Sequence, residues 1–283
     1  MGCRNLKRIY LMGGTGYIGS NFQNLYNKKV EVVPRGELPP TGAEIVIYMI
    51  STTSNYNVFE DPNLDIDTNL VALSNFFNWW RTSERTRLVF VSSWFVYGQS
   101  SLPANEEHPL NPKGFYSITK MTAERLIQSF AETFDLGYVI VRLSNVIGGY
   151  DPTASSKKNA LHFLLGQLKK NCDISLYWGG QFIRDYIDVR DACKGLMLIT
   201  ESPDLKHKCY NLGSGIPYNF IEIITVAQEI LKSKSKVLSI EQSRFHEIVQ
   251  VKDFYMNISR VQAIGFDTSI SINQSIEEIC QKI

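Results

Sequence analysis

The chain is missing the marks of several large classes of protein. No stretch of its 283 residues approaches the roughly 18–20 consecutive apolar residues of a membrane-spanning helix. Its opening, Met1 to Lys7, runs into a strand-like segment without the apolar core of a signal peptide. A cytoplasmic protein with no membrane partner is therefore expected. Lys plus Arg number 29 against 28 Asp plus Glu, so there is no basic field to gather nucleic acid. The five cysteines, Cys3, Cys172, Cys193, Cys209 and Cys280, are odd in number and contain no C-x-x-C pair, which reads as buried, reduced thiols. His108, His162, His207 and His246 have no zinc-like spacing, so no metal site is expected. With 44% hydrophobic and 20% charged residues, disordered, collagenous and coiled-coil classes are excluded as well.

What is present is alternation. The apolar run Ile9 to Met12 meets a glycine cluster, after which Tyr17 to Tyr26 reads as a helix. Further strands are expected at Val30 to Val33, Ile45 to Ile50, Leu88 to Val91 and Val139 to Leu143, with helices at Leu64 to Trp80 and Phe115 to Thr133. Continuous apolar strands alternating with helices imply an α/β fold with a Rossmann-like, doubly wound parallel sheet. Pro34 to Ala43 holds three prolines and two glycines and is too short for a helix, so that crossover must lack one. Beyond Gly148 the rhythm loosens, with helices expected at Ala160 to Lys169, Val189 to Thr200 and Phe220 to Leu231, and short strands at Ile174 to Tyr177 and Tyr210 to Leu212. The expected division is a dinucleotide-binding domain over 1–148 and a smaller, mainly substrate-binding region over 149–283 that returns elements to the main sheet.

Two constellations carry chemistry. Gly13-Gly14-Thr15-Gly16-Tyr17-Ile18-Gly19 fits G-x-G-x-x-G through Gly14, Gly16 and Gly19, and G-x-x-G-x-x-G through Gly13, Gly16 and Gly19. It lies between a strand and a helix, where glycines let the backbone approach a pyrophosphate; the competing reading is a simple tight turn. Where a ribose-binding acid would stand, the end of the second strand offers Arg35, which suits the 2′-phosphate of NADP. The alternative leaves Arg35 solvated, with Glu31 or Glu37 in the acidic role. The second constellation is Tyr116-Ser117-Ile118-Thr119-Lys120, whose i, i+4 spacing places phenol and ammonium on one helix face. A nearby lysine stabilises phenolate and is expected to lower the tyrosine pKa towards neutrality, as proton exchange with a carbonyl or alcohol requires. Val89-Phe90-Val91-Ser92-Ser93 precedes it as a strand ending in hydroxyls.

Together these features resemble the extended short-chain dehydrogenase/reductase superfamily, the branch that modifies nucleotide-diphosphate sugars. The resemblance extends to Ser92-Ser93-Trp94-Phe95-Val96-Tyr97-Gly98, Arg142-Leu143-Ser144-Asn145-Val146-Ile147-Gly148, Arg184-Asp185-Tyr186-Ile187-Asp188-Val189-Arg190-Asp191 and Tyr210-Asn211-Leu212-Gly213-Ser214-Gly215. It implies that Ser93 hydrogen-bonds the reacting oxygen, that Tyr116 is the acid/base, and that Lys120 contacts the nicotinamide ribose. The cofactor contacts it implies are Gly13, Gly16, Tyr17, Ile18, Gly19, Arg35, Ser51, Asn69, Tyr116 and Lys120. Asn145, Arg184 and Arg244 would join Ser93 on the sugar nucleotide. The plainer alternatives are a turn-capping Asn145 and an Arg184 paired with Asp185 or Asp188.

Trp94 and Phe95 stand where the family's 4,6-dehydratases carry an acidic pair, which argues against water elimination. The expected activity is NADP-dependent reduction of a nucleotide-diphosphate 4-keto-6-deoxy sugar, with an NAD-dependent 4-epimerase as the alternative and a silent dinucleotide sensor as a third reading. The resemblance further implies a homodimer paired through the Leu64 to Trp80 and Phe115 to Thr133 helices. Phe76, Phe77, Trp79 and Trp80 would supply apolar area there, unless the core uses it.

Overall fold

A computed structural model of the chain describes residues 8–149 and 159–283. Its centre is a six-stranded parallel sheet built from β1 (Ile9–Met12), β2 (Val30–Val33), β3 (Ile45–Tyr48), β4 (Arg87–Ser93), β5 (Tyr138–Leu143) and the later strand Cys209–Leu212. In space the order is Cys209–Leu212, β5, β4, β3, β1, β2. Ile9 pairs with Val30 on one side and Ile45 on the other, which fixes β1 between β2 and β3. The β2-to-β3 crossover passes over β1 without a helix, as its prolines require.

Strand alternation sends the apolar side chains to opposite faces. On one face, Leu11, Val89 and Val139 pack with Phe22 of α1 (Tyr17–Leu25) and with Leu196 of the Val189–Glu201 helix. On the other, Val46, Leu88, Phe90 and Ile140 meet Leu73, Phe76 and Trp80 of α3 (Ala72–Trp80) and Ile127 of α4 (Phe115–Phe134). Of the aromatic residues expected on an outer face, Phe76, Phe77 and Trp80 are core residues and Trp79 is partly buried against the same core. Phe76, Phe77 and Trp80 are buried, Phe77 stacks on Phe130 at 4.4 Å, and the Trp80 indole N–H donates to the Thr86 carbonyl at 3.1 Å. The exposed apolar side chains over 64–80 and along α4 are instead Leu64, Ile66, Val71, Phe115, Ile118, Leu126 and Phe134.

The segment expected as one helix over Leu64 to Trp80 is α2 (Asn63–Ile66), a π turn over Asp67–Val71, and α3. The wider turn leaves Asn69 buried against the sheet.

Residues beyond 159 gather a core of their own. Leu165 and Leu168 of the Ala160–Lys169 helix pack with Ile224 of the Phe220–Leu231 helix and Ile276 and Ile279 of the Ile272–Lys282 helix. They cover the parallel pair Ile174–Tyr177 and Val237–Ile240. Two smaller pairs, Asn145–Ile147 with Tyr186–Asp188 and Ile183–Arg184 with Tyr218–Asn219, join this layer to the sheet half. Two helices beyond residue 159 start on side-chain caps given by their sequence: Asp188 accepts from the Arg190 N–H at 2.8 Å and Asn219 from that of Ile221 at 3.4 Å. Not every cysteine is buried. Cys193 and Cys280 are, but Cys172 is exposed at the end of its helix and Cys209 is partly so, while Cys3 lies outside the described residues. Among the described residues no helix is long and apolar enough to cross a membrane, and no cluster of potential metal ligands occurs.

Candidate active site

A cavity of about 690 Å³ opens along the C-terminal ends of β1, β3, β4 and β5 and runs beneath the later layer. Parallel sheets place ligands at this edge, because loops leave the strands here and helices begin here.

The glycine loop forms the floor. Gly13 has φ +87°, and a Cβ on it would lie 2.8 Å from the Met49 carbonyl carbon. A Cβ on Gly19 would lie 2.4 Å from the Gly13 carbonyl oxygen, so a glycine there lets α1 start directly under the loop. At Gly16 the nearest atom to such a Cβ is 3.6 Å away, which leaves the backbone open to the cavity. Gly16 caps α1 without any side chain, and the N–H groups of the first turn are what a pyrophosphate would take. Tyr17 and Ile18 line the same end, and the Tyr17 hydroxyl donates to the Gly148 carbonyl. This cradle fits a dinucleotide.

The next wall is β3 and the loop after it. Ser51 lines the cavity. Asn69 lies behind it: its Oδ1 accepts from the Ser51 hydroxyl at 3.0 Å and the Thr52 N–H at 2.9 Å, while its amide donates to Thr52 Oγ1 at 2.9 Å and Thr119 Oγ1 at 2.8 Å. Asn69 does not line the cavity; the π turn uses it to hold the Ser51–Thr52 loop.

Strand β4 and helix α4 bring the chemistry together. Ser93 ends β4, and Tyr116 sits in the first turn of α4. That turn is fixed from outside: a Cβ on Gly114 would strike the Asn55 side chain, whose Oδ1 accepts the Ser117 N–H at 3.3 Å. The Tyr116 ring is partly exposed, and its hydroxyl lies beside those of Ser93 and Ser51, which line the same cavity. Burial raises its pKa, Ser93 and Ser51 pull against that rise, and Asp65 adds to it. Lys120 lies one turn on, as expected, but its ammonium donates to the Val91 carbonyl at 2.6 Å and lies 4.1 Å from the Phe90 ring centroid. Burial pushes the Lys120 pKa down to about 7. The expectation that Lys120 pulls Tyr116 towards neutrality is not met in this geometry, because burial dominates and the ammonium points at a carbonyl. Ser92, next to Ser93, turns away to Glu124, which pairs with Arg142 at 2.8 Å beneath the strand ends.

Asn145 and Arg184 both line the cavity. The Asn145 amide donates to the Asp185 carbonyl at 3.0 Å. Arg184 makes neither of the ion pairs that were its plainer alternative. Its guanidinium donates to the carbonyls of Ile183, Lys252 and Val251 at 2.6–2.8 Å and lies 4.7 Å from the Phe182 ring centroid. Asp185 accepts instead from the N–H groups of Ser214, Gly215 and Met256, and Asp188 pairs with Arg190. Burial lowers the Arg184 pKa to about 10. Arg35 and Arg244 are not brought in. Arg35 is exposed in the loop after β2 and Arg244 is exposed on the first turn of the Arg244–Val249 helix, and neither lines the cavity.

Sequence reasoning missed an aromatic wall at the far end. Trp94 and Phe95 stack at 3.9 Å between ring centroids, and Phe95 meets Tyr116 edge-on at 6.3 Å. Tyr177 lies 4.2 Å from His246, whose Nδ1 is 2.9 Å from the Ser243 hydroxyl and whose Nε2 bonds the Tyr56 hydroxyl. The only signal for this wall was the density of aromatics near residues 177–182 and 245; no spacing tied them to one another. Among the described residues lining the cavity there is no Asp or Glu, whereas Lys120 and Arg184 are present.

A glycine-loop floor and a hydroxyl, phenol and amine grouped at one sheet edge define a dinucleotide-binding α/β enzyme. The model of the NAD dependent epimerase/dehydratase family matches residues 37–213, and the chain belongs to that family, whose members are NAD(P)-dependent nucleotide-sugar enzymes. The match covers more than half the chain and starts after the glycine loop. A putative UDP-glucose 4-epimerase from Methanocaldococcus jannaschii is 23% identical over 96% of both chains. The fold is shared with the Thermotoga maritima UDP-glucose 4-epimerase solved with UDP-glucose, at a TM-score of 0.84 and 18% identity, covering 97% of each chain. It is also shared with RMD from Pseudomonas aeruginosa complexed with NADPH, at a TM-score of 0.83 and 20% identity, covering 97% of this chain and 98% of that one.

Proposed function

We propose that the protein is a 4-epimerase of a nucleotide-diphosphate hexose, with a UDP-hexose the first substrate to try. The observation that carries this is the grouping of Ser93, Tyr116 and Lys120 on one wall of a cavity whose other end holds Arg184 and Asn145. The names of the relatives support epimerisation over the expected ketoreduction. The glycine loop with Tyr17 and Ile18 would hold the dinucleotide's pyrophosphate, and Ser51 and Lys120 its nicotinamide half. Bound there, the nicotinamide supplies the acceptor and donor of hydride at the sugar carbon.

The chain's own part is proton transfer and orientation. Tyr116 takes the proton of the C4 hydroxyl as that carbon is oxidised and gives it back as the carbon is reduced, so the residue ends each turnover unchanged. Ser93, beside the same phenol, orients the reacting oxygen. Among the described residues no carboxylate forms an ion pair with Arg184, which leaves its charge to the diphosphate, and the absence of acids from the described lining spares a polyanion from repulsion. Trp94 and Phe95 offer no acid/base group where a dehydratase needs one. The same residues would serve reduction of a 4-keto sugar by NADPH, and Arg35 after β2 is the one feature favouring that second reading. A homodimer through the exposed Leu64, Val71, Ile118 and Leu126 side chains is part of the proposal.

Incubation of the purified protein with UDP-glucose and NAD, with products resolved by chromatography and mass spectrometry, tests it. Conversion to UDP-galactose without net change in NAD supports epimerisation. No interconversion across UDP-, GDP- and dTDP-hexoses, alongside consumption of NADPH with a 4-keto sugar, overturns it in favour of the reductase.

A further inference from the structure

A carboxylate that no motif singles out lies behind the catalytic wall. Asp65, on α2, is fully buried. Its Oδ1 accepts from the Asn57 amide at 2.9 Å and from the Thr52 hydroxyl, while its Oδ2 has no hydrogen-bond partner among the described residues. A buried carboxylate with one bare oxygen is costly, and an apolar side chain would sit there more cheaply. Its connections run towards the phenol. Thr52 Oγ1, which donates to Asp65, accepts from the Asn69 amide; Asn69 Oδ1 accepts from the Ser51 hydroxyl; and Ser51 lies beside Tyr116 on the cavity wall.

We propose that Asp65 is a positioning residue for Tyr116, acting through the chain Thr52–Asn69–Ser51 and through its own charge. Fixing the Thr52 hydroxyl as a donor leaves its lone pairs to the Asn69 amide, which sets the amide's orientation and so makes Asn69 Oδ1 the acceptor for Ser51. Ser51 is then held against the phenol. The charge acts in parallel, since a nearby anion raises the proton affinity of the Tyr116 phenolate, which makes it a stronger base for the C4 hydroxyl and raises the pH at which it forms, consistent with the upward shift that Asp65 adds there. The titratable groups on the elements packed around Asp65 are Tyr116 and Lys120 of α4, Tyr56 of the Asn55–Phe59 turn with His246 at its hydroxyl, and the exposed Glu60, Asp61 and Asp67 beside α2.

This inference rests on Tyr116 being the proton-transfer residue, and three variants keep the two apart. Asp65→Asn keeps an oxygen for Thr52 and Asn57 and removes the charge, so the limb of the kcat–pH profile that belongs to Tyr116 should move to lower pH. Thr52→Val breaks the chain and keeps the charge; kcat should fall roughly tenfold with KM within about twofold and the limb in place. Tyr116→Phe is measured alongside. If it is inactive while Asp65→Asn leaves the limb in place, or while Thr52→Val leaves kcat unchanged, the role of Asp65 is overturned and that of Tyr116 stands. If Tyr116→Phe keeps its activity, both fall. Should Asp65→Asn fail to fold, Thr52→Val with its melting temperature decides the matter alone.

Discussion

The two halves of the molecule are held by different kinds of contact. In the sheet half, six parallel strands carry runs such as Val46 to Tyr48 and Val139 to Leu143 that are buried throughout, and the ends of β1, β3, β4 and β5 each deliver a piece of the site. In the later half the strands are two to four residues long, the core is separate, and the cavity-facing residues come from these short strands, loops and helix ends. The difference assigns roles. A stiff sheet can hold Ser93 and Tyr116 to the tolerance that proton transfer demands, while a separately packed layer can vary its aromatic wall without disturbing them.

Removing chemistry from the stiff half should have the largest effect. Tyr116→Phe is expected to lower kcat by roughly 10²–10⁴-fold while leaving melting temperature and dinucleotide affinity near wild type. Activity within a few-fold of wild type would take Tyr116 out of the mechanism.

The separate cores can be set against each other directly. Trp80→Ala should cost about 3–5 kcal/mol, and Leu165→Ala about 2–5 kcal/mol, in denaturant unfolding. If the halves are as distinct as their cores, Leu165→Ala weakens sugar-nucleotide binding and spares dinucleotide binding. Equal loss of both would mean that the halves unfold as one.

Arg184→Leu tests the cation of the later half. Loss of charge-assisted bonds to a diphosphate, on the order of 1.5–3 kcal/mol, should raise the Kd for UDP-glucose at least tenfold without changing dinucleotide affinity. Calorimetry on both ligands checks it.

The pH dependence of the sheet half follows from Lys120. Its depressed pKa means that the charge is present below about pH 7 and lost as pH rises through that value. Dinucleotide affinity should therefore weaken across that interval, and Lys120→Met should flatten the profile. The smallest effect is expected at Arg35. The residue is solvent-exposed, so Arg35→Asp should move the NADPH-to-NADH preference by about a few-fold only. A larger shift would revive the reductase reading.

The apolar runs and the glycine cluster determined the parallel sheet and the loop at its edge, because burial on both faces and backbone crowding leave few other residues at those positions. The bounds show it: Val30–Val33, Ile174–Tyr177, Ala160–Lys169 and Phe220–Leu231 are where the residue pattern places them. Tyr116 and Lys120 were legible for the same local reason, a spacing within one helix. What the chain alone could not express was the partner each polar group would find. Arg184 adjoins two aspartates in sequence yet bonds three carbonyls, two of them nearly 70 residues away, because the Val251–Lys252 backbone folds over it. Asn69 came to hold Ser51 through a π turn that helical periodicity does not reveal, and Asp65 acquired its place behind Tyr116 only when α2 packed on α4. Local geometry is encoded by neighbours in sequence, whereas electrostatic partnership depends on which surfaces the hydrophobic cores press together.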